Sequence, residues 1–146
     1  MTLVRMAIEQ DRTDVVRMIT ALWPDCEPNE ASVIFASSLA NGSPVFLVAQ
    51  ESSELLGVAM FALRNDHVEG SFSSPTGYLE GIWVDKEHRL KGVGKMLVRA
   101  GEEWCIRMGC HYLGSDAEIQ NSGSIRFHGN YGFHEVNRIV NFIKKL

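Results

Sequence analysis

The chain has 146 residues, of which 45% are hydrophobic and 22% are charged. This length fits one compact domain, and the composition excludes a disordered or fibrous protein. The net charge of -4 has the wrong sign for a protein that binds nucleic-acid phosphates. We therefore expect a single domain over residues 1–146 and no nucleic-acid partner.

The first part of the chain predicts one strand and two helices. Residues 3–8 have a strand pattern, and the segment after Asp11 places its apolar side chains on one helical face until Pro24 ends it. A second helix is predicted to begin after Asn29, a good N-cap residue, and to end at residues 41–42, Asn-Gly.

The middle of the chain predicts the sheet. Residues 46–50 and 55–63 are apolar and β-prone, and the short polar segment between them is typical of a hairpin. Residues 77–84 form a further strand pattern that contains Gly77 and Gly81. A glycine inside a strand often marks a bulge or a close approach of the backbone to a ligand.

The last part begins with the most regular helical pattern in the chain. From Val93, every third or fourth residue is apolar, and Gly109 is placed to end the helix. The predicted core face consists of Met96, Leu97, Ala100, Trp104 and Met108. A short strand (112–114), a short helix (124–130) and two closing strands (133–136 and 138–143) follow. This alternation predicts a mixed fold of the α/β or α+β class.

The segment 89–95, Arg-Leu-Lys-Gly-Val-Gly-Lys, joins the glycine-containing strand to this helix. Glycines allow the backbone to approach a ligand, and the free N–H groups at a helix N-terminus favour an anion such as phosphate. A dinucleotide fingerprint would need a third glycine where Leu97 stands, and a P-loop would need Gly-Lys-Ser/Thr, so neither motif is present. The alternative is that Gly92 and Gly94 only turn the chain.

Two motifs resemble those of the GCN5-related N-acetyltransferases (GNAT). Arg89-x-x-Gly92-x-Gly94 is similar to their acetyl-CoA pyrophosphate loop, and residues 130–133, Asn-Tyr-Gly-Phe, are similar to their closing Gly-Phe signature. The resemblance implies the GNAT acyl-CoA N-acyltransferase fold. In that fold a mixed, mostly antiparallel, twisted sheet is splayed at the cofactor cleft and flanked by about four helices.

A narrower resemblance is to the small aminoglycoside 6'-N-acetyltransferases. It rests on residues 22–24 (Leu-Trp-Pro), 79–82 (Leu-Glu-Gly-Ile) and 115–116 (Ser-Asp) together with Asn121. It implies a cytoplasmic homodimer that transfers an acetyl group from acetyl-CoA to a primary amine of an aminoglycoside antibiotic. The amine would attack directly in a ternary complex, and the reaction would confer resistance.

The same resemblance assigns the site residues in three groups. The catalytic candidates are Glu80, Asp116 and His128. The candidates for binding acetyl-CoA are Ile82, Trp83, Val84, Arg89, Leu90, Lys91, Gly92, Val93, Gly94, Lys95 and Asn121. The candidates for binding the amine substrate are Trp23, Cys26, His67, Glu80, Asp116 and Asn137.

Acetyl transfer to an amine needs a neutral amine held against a polarised carbonyl, and a route for the amine's proton. By resemblance, a backbone N–H in residues 82–84 polarises the thioester carbonyl. Glu80 is placed to hold the ammonium form and to accept its proton directly or through water, and Asp116 is expected to face the same cleft. The alternatives are an exposed strand residue for Glu80 and a turn carboxylate for Asp116.

His128 occupies the position where many GNAT enzymes have a tyrosine that protonates the leaving thiolate. It is a candidate general acid, water is another, and a packing role on its helix is the alternative.

The expected substrate is a polycation, because acids lie close to Trp23 in the sequence. Asp25, Glu27 and Glu30 follow it, and Trp23 offers a flat face for sugar rings or cations. Asp66 and Glu69 are expected to add to the rim of the site. The alternative is a helix N-terminus with dipole-matched acids and an ordinary core tryptophan.

Two competing functions remain open at this stage. One is a GNAT enzyme that acts on another small amine, a polyamine, or a protein N-terminus or lysine. The other is a module that binds the cofactor without catalysis.

Three cysteines, Cys26, Cys105 and Cys110, are an odd and sparse set, which predicts reduced thiols in a reducing compartment. No second ligand pair stands at zinc spacing from Cys105, Cys110 and His111, so we expect no metal. The N-terminal sequence has no leader pattern, and no apolar run approaches a membrane span, so we expect no membrane partner.

Overall fold

A computed structural model describes all residues from 1 to 146. The chain contains two compact units, Met1–Ser115 and Asp116–Leu146, which are described separately below.

The first unit contains five strands and three α-helices. In chain order these are β1 (Thr2–Met6), α1 (Arg12–Leu22), α2 (Pro28–Asn41), β2 (Val45–Glu51), β3 (Glu54–Arg64), β4 (Thr76–Val84), α3 (Val93–Arg107) and β5 (Leu113–Ser115). Short 3₁₀ turns lie at Glu9–Asp11 and Lys86–His88. The second unit contains one helix, α4 (Ser122–Asn130).

The five strands form one sheet in the order β1-β2-β3-β4-β5. The first three pairs are antiparallel, and β4 pairs with β5 in parallel. The predicted mixed, mostly antiparallel sheet with about four helices is therefore confirmed.

Helices cover both faces of this sheet. Val58 on β3 belongs to a core cluster with α1 and α2 that includes Met18 and Phe35. Phe61, three residues after Val58 and therefore on the opposite face, packs against Gly101 of α3. Because successive side chains of a strand point to opposite faces, a strand covered on both sides must be apolar throughout. This explains the continuous burial of residues 55–59.

A largely buried ion pair fixes the path from β1 into α1. Arg5 Nη1 and Nη2 lie 2.7 and 3.0 Å from the two carboxylate oxygens of Asp11. The Ile8 backbone N–H also donates to Asp11, at 2.8 Å. The hydrogen bonds from Arg5 hold the pKa of Asp11 below its usual range, so the carboxylate stays ionised and keeps both donors.

The start of α2 differs from the prediction, and its end does not. The helix begins at Pro28 with Glu27 as N-cap, because proline suits the first helical position, where the N–H has no intrahelical acceptor. Asn29 is therefore inside the helix. Gly42 ends it in the left-handed conformation, with φ of 74°.

The buried face of α3 lies beside the predicted one. Leu97 and Trp104 are buried as predicted, whereas Met96 is 36% and Met108 is 44% exposed. The contact with the sheet instead buries Val93, Val98, Gly101 and Cys105. The spacing of apolar residues does not fix which side of α3 faces the sheet. The side that carries Gly101 is buried, because a glycine leaves room for the Phe61 ring.

The two predicted closing strands, 133–136 and 138–143, are wrong: this segment has no helix or strand. Its apolar side chains are exposed, among them Val136, Ile139, Val140, Phe142 and Ile143. The residues are β-prone, but a strand forms only where a neighbouring strand accepts and donates its backbone hydrogen bonds.

All three cysteines are free thiols, and burial raises the pKa of Cys105 to about 12. No group of three or more His, Cys, Asp or Glu side chains is arranged to hold a metal ion. No helix combines the length and apolar character that crossing a membrane requires.

The contact between Gly101 and Phe61 gives a stability test. A Cβ at residue 101 would lie 1.9 Å from Phe61 Cζ, so Gly101→Ala is expected to cost about 1–3 kcal/mol in unfolding free energy. This loss should exceed the gain of about 1 kcal/mol that alanine brings inside a helix. Gly129→Ala in α4, where nothing lies within 4 Å, is the control and should not lower the melting temperature. Thermal unfolding measures both, and a Gly101→Ala protein as stable as the original would contradict this packing.

Candidate active site

A bulge in β4 carries Glu80. On β3, Phe61 pairs with Leu79 and Met60 pairs with Gly81, so Glu80 is the extra residue without an opposite partner. The glycine inside this strand therefore does mark an irregularity, as the sequence predicted. A bulge bends its strand and redirects the side chain it carries, and it leaves the Glu80 side chain 24% exposed.

Trp23 lies directly against this bulge. A Cβ on Gly81 would be 2.6 Å from Trp23 Cζ2 and 2.8 Å from Leu22 Cδ2. Only glycine leaves room for the indole, which is half-buried and also packs against the core between α1, α2 and the sheet. The end of α1 and the bulge of β4 therefore form one surface.

Glu80 is paired with Arg64, the last residue of β3. Arg64 Nη2 lies 2.9 Å from Oε2 and 3.0 Å from Oε1, and Arg64 Nε lies 3.1 Å from Oε1. The guanidinium carbon lies 3.3 Å from the centre of the Tyr78 ring, a cation–π contact. Arg64 was not among the residues predicted for the site. The only available signal was its position one residue beyond a predicted strand.

The outer edge of β4 is open from the bulge onward in this unit. β5 ends at Ser115, opposite Leu79, whereas β4 continues to Val84. Residues 81–84 therefore pair with β3 on one side, and residues 80–84 pair with no strand of residues 1–115 on the other. Such an edge presents backbone N–H and C=O groups to an extended ligand, which agrees with the cofactor role predicted for residues 82–84.

Beyond β4, the glycine-containing loop leads to the exposed N-terminus of α3. Gly92 is the N-cap residue with φ of 86°, and Leu90 adopts φ of 61° while its side chain is fully exposed. A left-handed leucine costs about 1–2 kcal/mol, and backbone strain of this kind clusters at functional sites. The first turn of α3 has no acidic residue and no side-chain cap, while Lys91 and Lys95 are exposed beside it. The loop therefore suits an anion such as a phosphate group.

Arg89 connects this loop to the end of β4. Its Nε donates to the Val84 carbonyl oxygen at 2.8 Å, and its guanidinium lies 4.7 Å from the centre of the Trp83 ring. The Trp83 indole N–H in turn donates to Asp85 at 2.9 Å. Arg89 is therefore engaged in holding the loop, and the sequence did not predict this bracing role.

Acidic side chains surround the turn that follows Trp23. Asp25, Glu27 and Glu30 are exposed, and none of them forms an ion pair. The nearby Cys26 thiol is partly desolvated beside Glu30 and Glu27, which raises its pKa. This arrangement attracts cations, although the same acids also suit the N-terminus of α2.

His67 lies in the loop between β3 and β4. Its Nε2 is 3.2 Å from Glu69 Oε2, and both side chains are exposed. This predicted substrate residue has no contact with Glu80, whose carboxylate binds only Arg64.

The second unit contains the other four predicted site residues. Asp116 directly follows β5, and Asn121 accepts a hydrogen bond from the Ser124 backbone N–H as the N-cap of α4. Asn137 is exposed in the irregular C-terminal segment. His128 Nδ1 lies 2.7 Å from the Ser124 carbonyl oxygen. Because a carbonyl only accepts, Nδ1 is the donor in this contact.

The packing role considered for His128 also has support. Its ring meets those of Phe127 and Phe133 edge-on, at 5.6 and 5.1 Å between ring centres.

Among the predicted residues, the first unit brings together Trp23, Glu80 and the strand 82–84, and it joins that strand to the glycine loop.

Comparison with known proteins gives a consistent result. The sequence profile of the acetyltransferase (GNAT) family matches residues 9–133. The aminoglycoside N(6')-acetyltransferase type 1 of Stenotrophomonas maltophilia is 33% identical over 139 residues, which cover 95% of this chain and 90% of that protein. The enzyme of the same name from Serratia marcescens is 35% identical over 87% of this chain and 88% of its own length.

Solved structures agree. The aminoglycoside N-acetyltransferase AAC(6')-Iy in complex with CoA matches with a TM-score of 0.96 and 27% identity, over 100% of this chain and 96% of that one. The apo aminoglycoside antibiotic 6'-N-acetyltransferase of Acinetobacter haemolyticus matches with a TM-score of 0.92 and 30% identity, over 99% of both chains.

The contact of Trp23 with Gly81 is directly testable. Gly81→Ala should displace the indole and cost about 1–2 kcal/mol in unfolding free energy, because the added methyl group overlaps two side chains. In an NMR spectrum of the indole N–H groups, assigned with a Trp23→Phe variant, the Trp23 signal should move and that of buried Trp104 should not. An unchanged Trp23 signal would show that the indole does not rest on the bulge.

Proposed function

The chain belongs to the acetyltransferase (GNAT) family, and on this premise we propose that it is an aminoglycoside 6'-N-acetyltransferase. The supporting observation is a carboxylate, Glu80, on a strand bulge whose open edge leads directly into an anion-binding loop. Relatives that bear this enzyme name are 32–35% identical over 87–98% of this chain, which supports the same conclusion.

The donor substrate is acetyl-CoA, which supplies the acetyl group as a thioester. The loop 89–95 suits its phosphates: Gly92 and the first turn of α3 offer N–H groups, and Lys91 and Lys95 supply positive charge. The open edge of β4 at residues 82–84 is where its extended chain would bind by backbone hydrogen bonds. Asn121, already an N-cap, is an additional proposed contact.

The acceptor is a primary amine that is protonated in solution. Glu80 holds the amine beside the thioester, and the backbone of residues 82–84 polarises the carbonyl that it attacks. Asp116 is the second proposed carboxylate, and His128 is the proposed donor of a proton to the leaving thiolate. The amine's proton leaves directly to a carboxylate or through water.

The charge of the first unit favours an aminoglycoside as the acceptor. Such a molecule carries several ammonium groups, and the exposed acids after Trp23 provide a field that attracts them. We propose that Trp23, Cys26, His67 and Asn137 contribute to its binding. Other small amines, polyamines and protein amines are the alternative acceptors.

Thiol release tests this function. The protein, acetyl-CoA and kanamycin or tobramycin are mixed, and release of free CoA is followed with a thiol reagent. Glu80→Gln should lower kcat/KM by about 10²–10⁴, the usual contribution of a general base. Glu51→Gln, at the far end of β2, is the control and should retain full activity.

Two results would reject the proposal. The first is that the protein acetylates spermidine or peptide amines but no aminoglycoside. The second is that no amine causes thiol release. Expression in a susceptible bacterium should also raise the minimal inhibitory concentration of kanamycin if the enzyme confers resistance.

We further propose that residues 1–146 act as one acetyltransferase domain, since the family profile spans both compact units.

We also propose a cytoplasmic location, which agrees with the use of acetyl-CoA, a compound made inside cells. Nucleic acid and membranes are not proposed as partners.

The proposed assembly is a homodimer that involves the C-terminal segment. Residues 138–143 are β-prone and, apart from Arg138 and Asn141, apolar, yet they are exposed and unpaired. Exposed apolar stretches of this kind usually mark an interface, and a second copy of the chain supplies the missing strand by symmetry.

Light scattering after size-exclusion chromatography tests the dimer. The original protein should elute with twice the mass of one chain, and the double variant Ile139→Asp, Phe142→Asp should elute as a monomer. Val33→Asp places the same charge on an exposed apolar position of α2 and should remain dimeric. A monomeric original protein at micromolar concentration would contradict the proposal.

A further inference from the structure

We propose that Arg64 is a positioning residue for acetyl transfer, which compensates the charge of Glu80 so that an amine bound there more readily gives up its proton. This inference rests on the proposed function. It starts from a difficulty in that function: a carboxylate that binds an ammonium group also stabilises its charged form, whereas only the neutral amine is a nucleophile.

Arg64 is bound closely enough to Glu80 to act as the permanent counter-ion of its carboxylate. Its Nε and Nη2 make three contacts of 2.9–3.1 Å with the carboxylate of Glu80. A carboxylate has about four lone-pair directions, so Glu80 retains room for one further donor. With the side chain 24% exposed, that position is open to a substrate amine, which then lies close to a second positive charge.

The position of Arg64 is fixed by Tyr78. The guanidinium carbon is 3.3 Å from the ring centre, and Tyr78 pairs with Ala62, two residues before Arg64 on the neighbouring strand. A planar guanidinium stacks on a ring and still donates in its own plane. Its charge is therefore held at a constant place while the substrate binds and leaves.

No other charge of residues 1–115 shares this pair. The arginines of α1 bind Glu9, Asp14 and Asp85, and His67 of the following loop binds Glu69. No charged side chain of α3 forms an ion pair with either member, and β5 carries none. Among the charges of residues 1–115, Arg64 is thus the one that acts directly on how strongly the Glu80 position favours an ammonium group, in addition to Asp116, the second proposed carboxylate.

The chemical consequence is a compromise between binding and reaction. A nearby positive charge lowers the pKa of the bound amine, because like charges disfavour the protonated form. The ammonium group then loses one proton to water, and the amine lone pair attacks the thioester carbonyl. The C–S bond breaks, a second N–H proton leaves the nitrogen through water, and the CoA thiolate takes up a proton, which gives the amide and the CoA thiol. The same repulsion weakens the binding of the polycation.

Arg64→Gln tests this compromise, because it removes the charge while retaining a hydrogen-bond donor. With tobramycin as substrate, KM should fall about threefold or more, and kcat at pH 7 should fall roughly tenfold. The acid limb of the pH profile of kcat, which reports the enzyme–substrate complex, should move upward by about one pH unit. Arg64→Lys keeps the charge and should restore values within about threefold of the original.

Arg12→Gln is the matched control. Arg12 also forms a double hydrogen bond with a carboxylate, Glu9, and lies over an aromatic ring, that of Phe35. Its loss should leave KM, kcat and the pH profile unchanged.

The outcomes separate this inference from the proposed function. If the original protein acetylates no amine, both fail. If it acetylates tobramycin but Arg64→Gln raises KM without moving the pH profile, only the role of Arg64 is overturned. Arg64→Met, which keeps the contact with Tyr78, replaces Arg64→Gln if that variant does not fold, and failure of both to fold would assign Arg64 a purely structural role.

Discussion

The single extra residue in β4 is the constraint on which the rest of the site depends. Without the bulge, Glu80 would have an ordinary partner on β3, and its side chain would continue the alternation of the strand. The bulge moves the carboxylate out of that alternation and places Gly81 where the Trp23 indole needs space. The end of α1, the carboxylate and the open edge of β4 meet because of this one irregularity.

The sheet makes the bulge tolerable. β3 is covered by helices on both faces, and it pairs with β2 between residues 54 and 61 and with β4 between residues 57 and 64. A strand held in this way keeps its register on either side of the extra residue, so the irregularity stays local. The loop after β4 is fixed similarly, because Arg89 binds the Val84 carbonyl oxygen and lies against Trp83. The strained backbone at Leu90 therefore sits on a rigid support.

Charge is distributed differently in two parts of the first unit. The acids after Trp23 form no ion pairs and attract cations over a distance, while Glu80 is already compensated by Arg64. In the proposed function, the exposed acids after Trp23 attract a polycation, which then meets a carboxylate, Glu80, whose charge Arg64 balances. This distribution of charge suits a reaction whose amine substrate arrives protonated and reacts in its neutral form.

The sequence predicted the element order as far as α4, the hairpin of β2 and β3, the irregular glycine in β4 and the glycine loop before α3. Each of these follows from local signals such as periodicity, proline and glycine, which act over a few residues. Motif resemblance also predicted Glu80 and Trp23 as site residues. Tertiary structure alone decided which face of α3 is buried, the bracing by Arg89, and the pairing of Arg64 with Glu80. These depend on contacts between residues far apart in the chain, such as Phe61 with Gly101. The C-terminal segment shows the same limit, because β-prone residues such as 138–143 form a strand only where another strand supplies the hydrogen bonds, and none does so here.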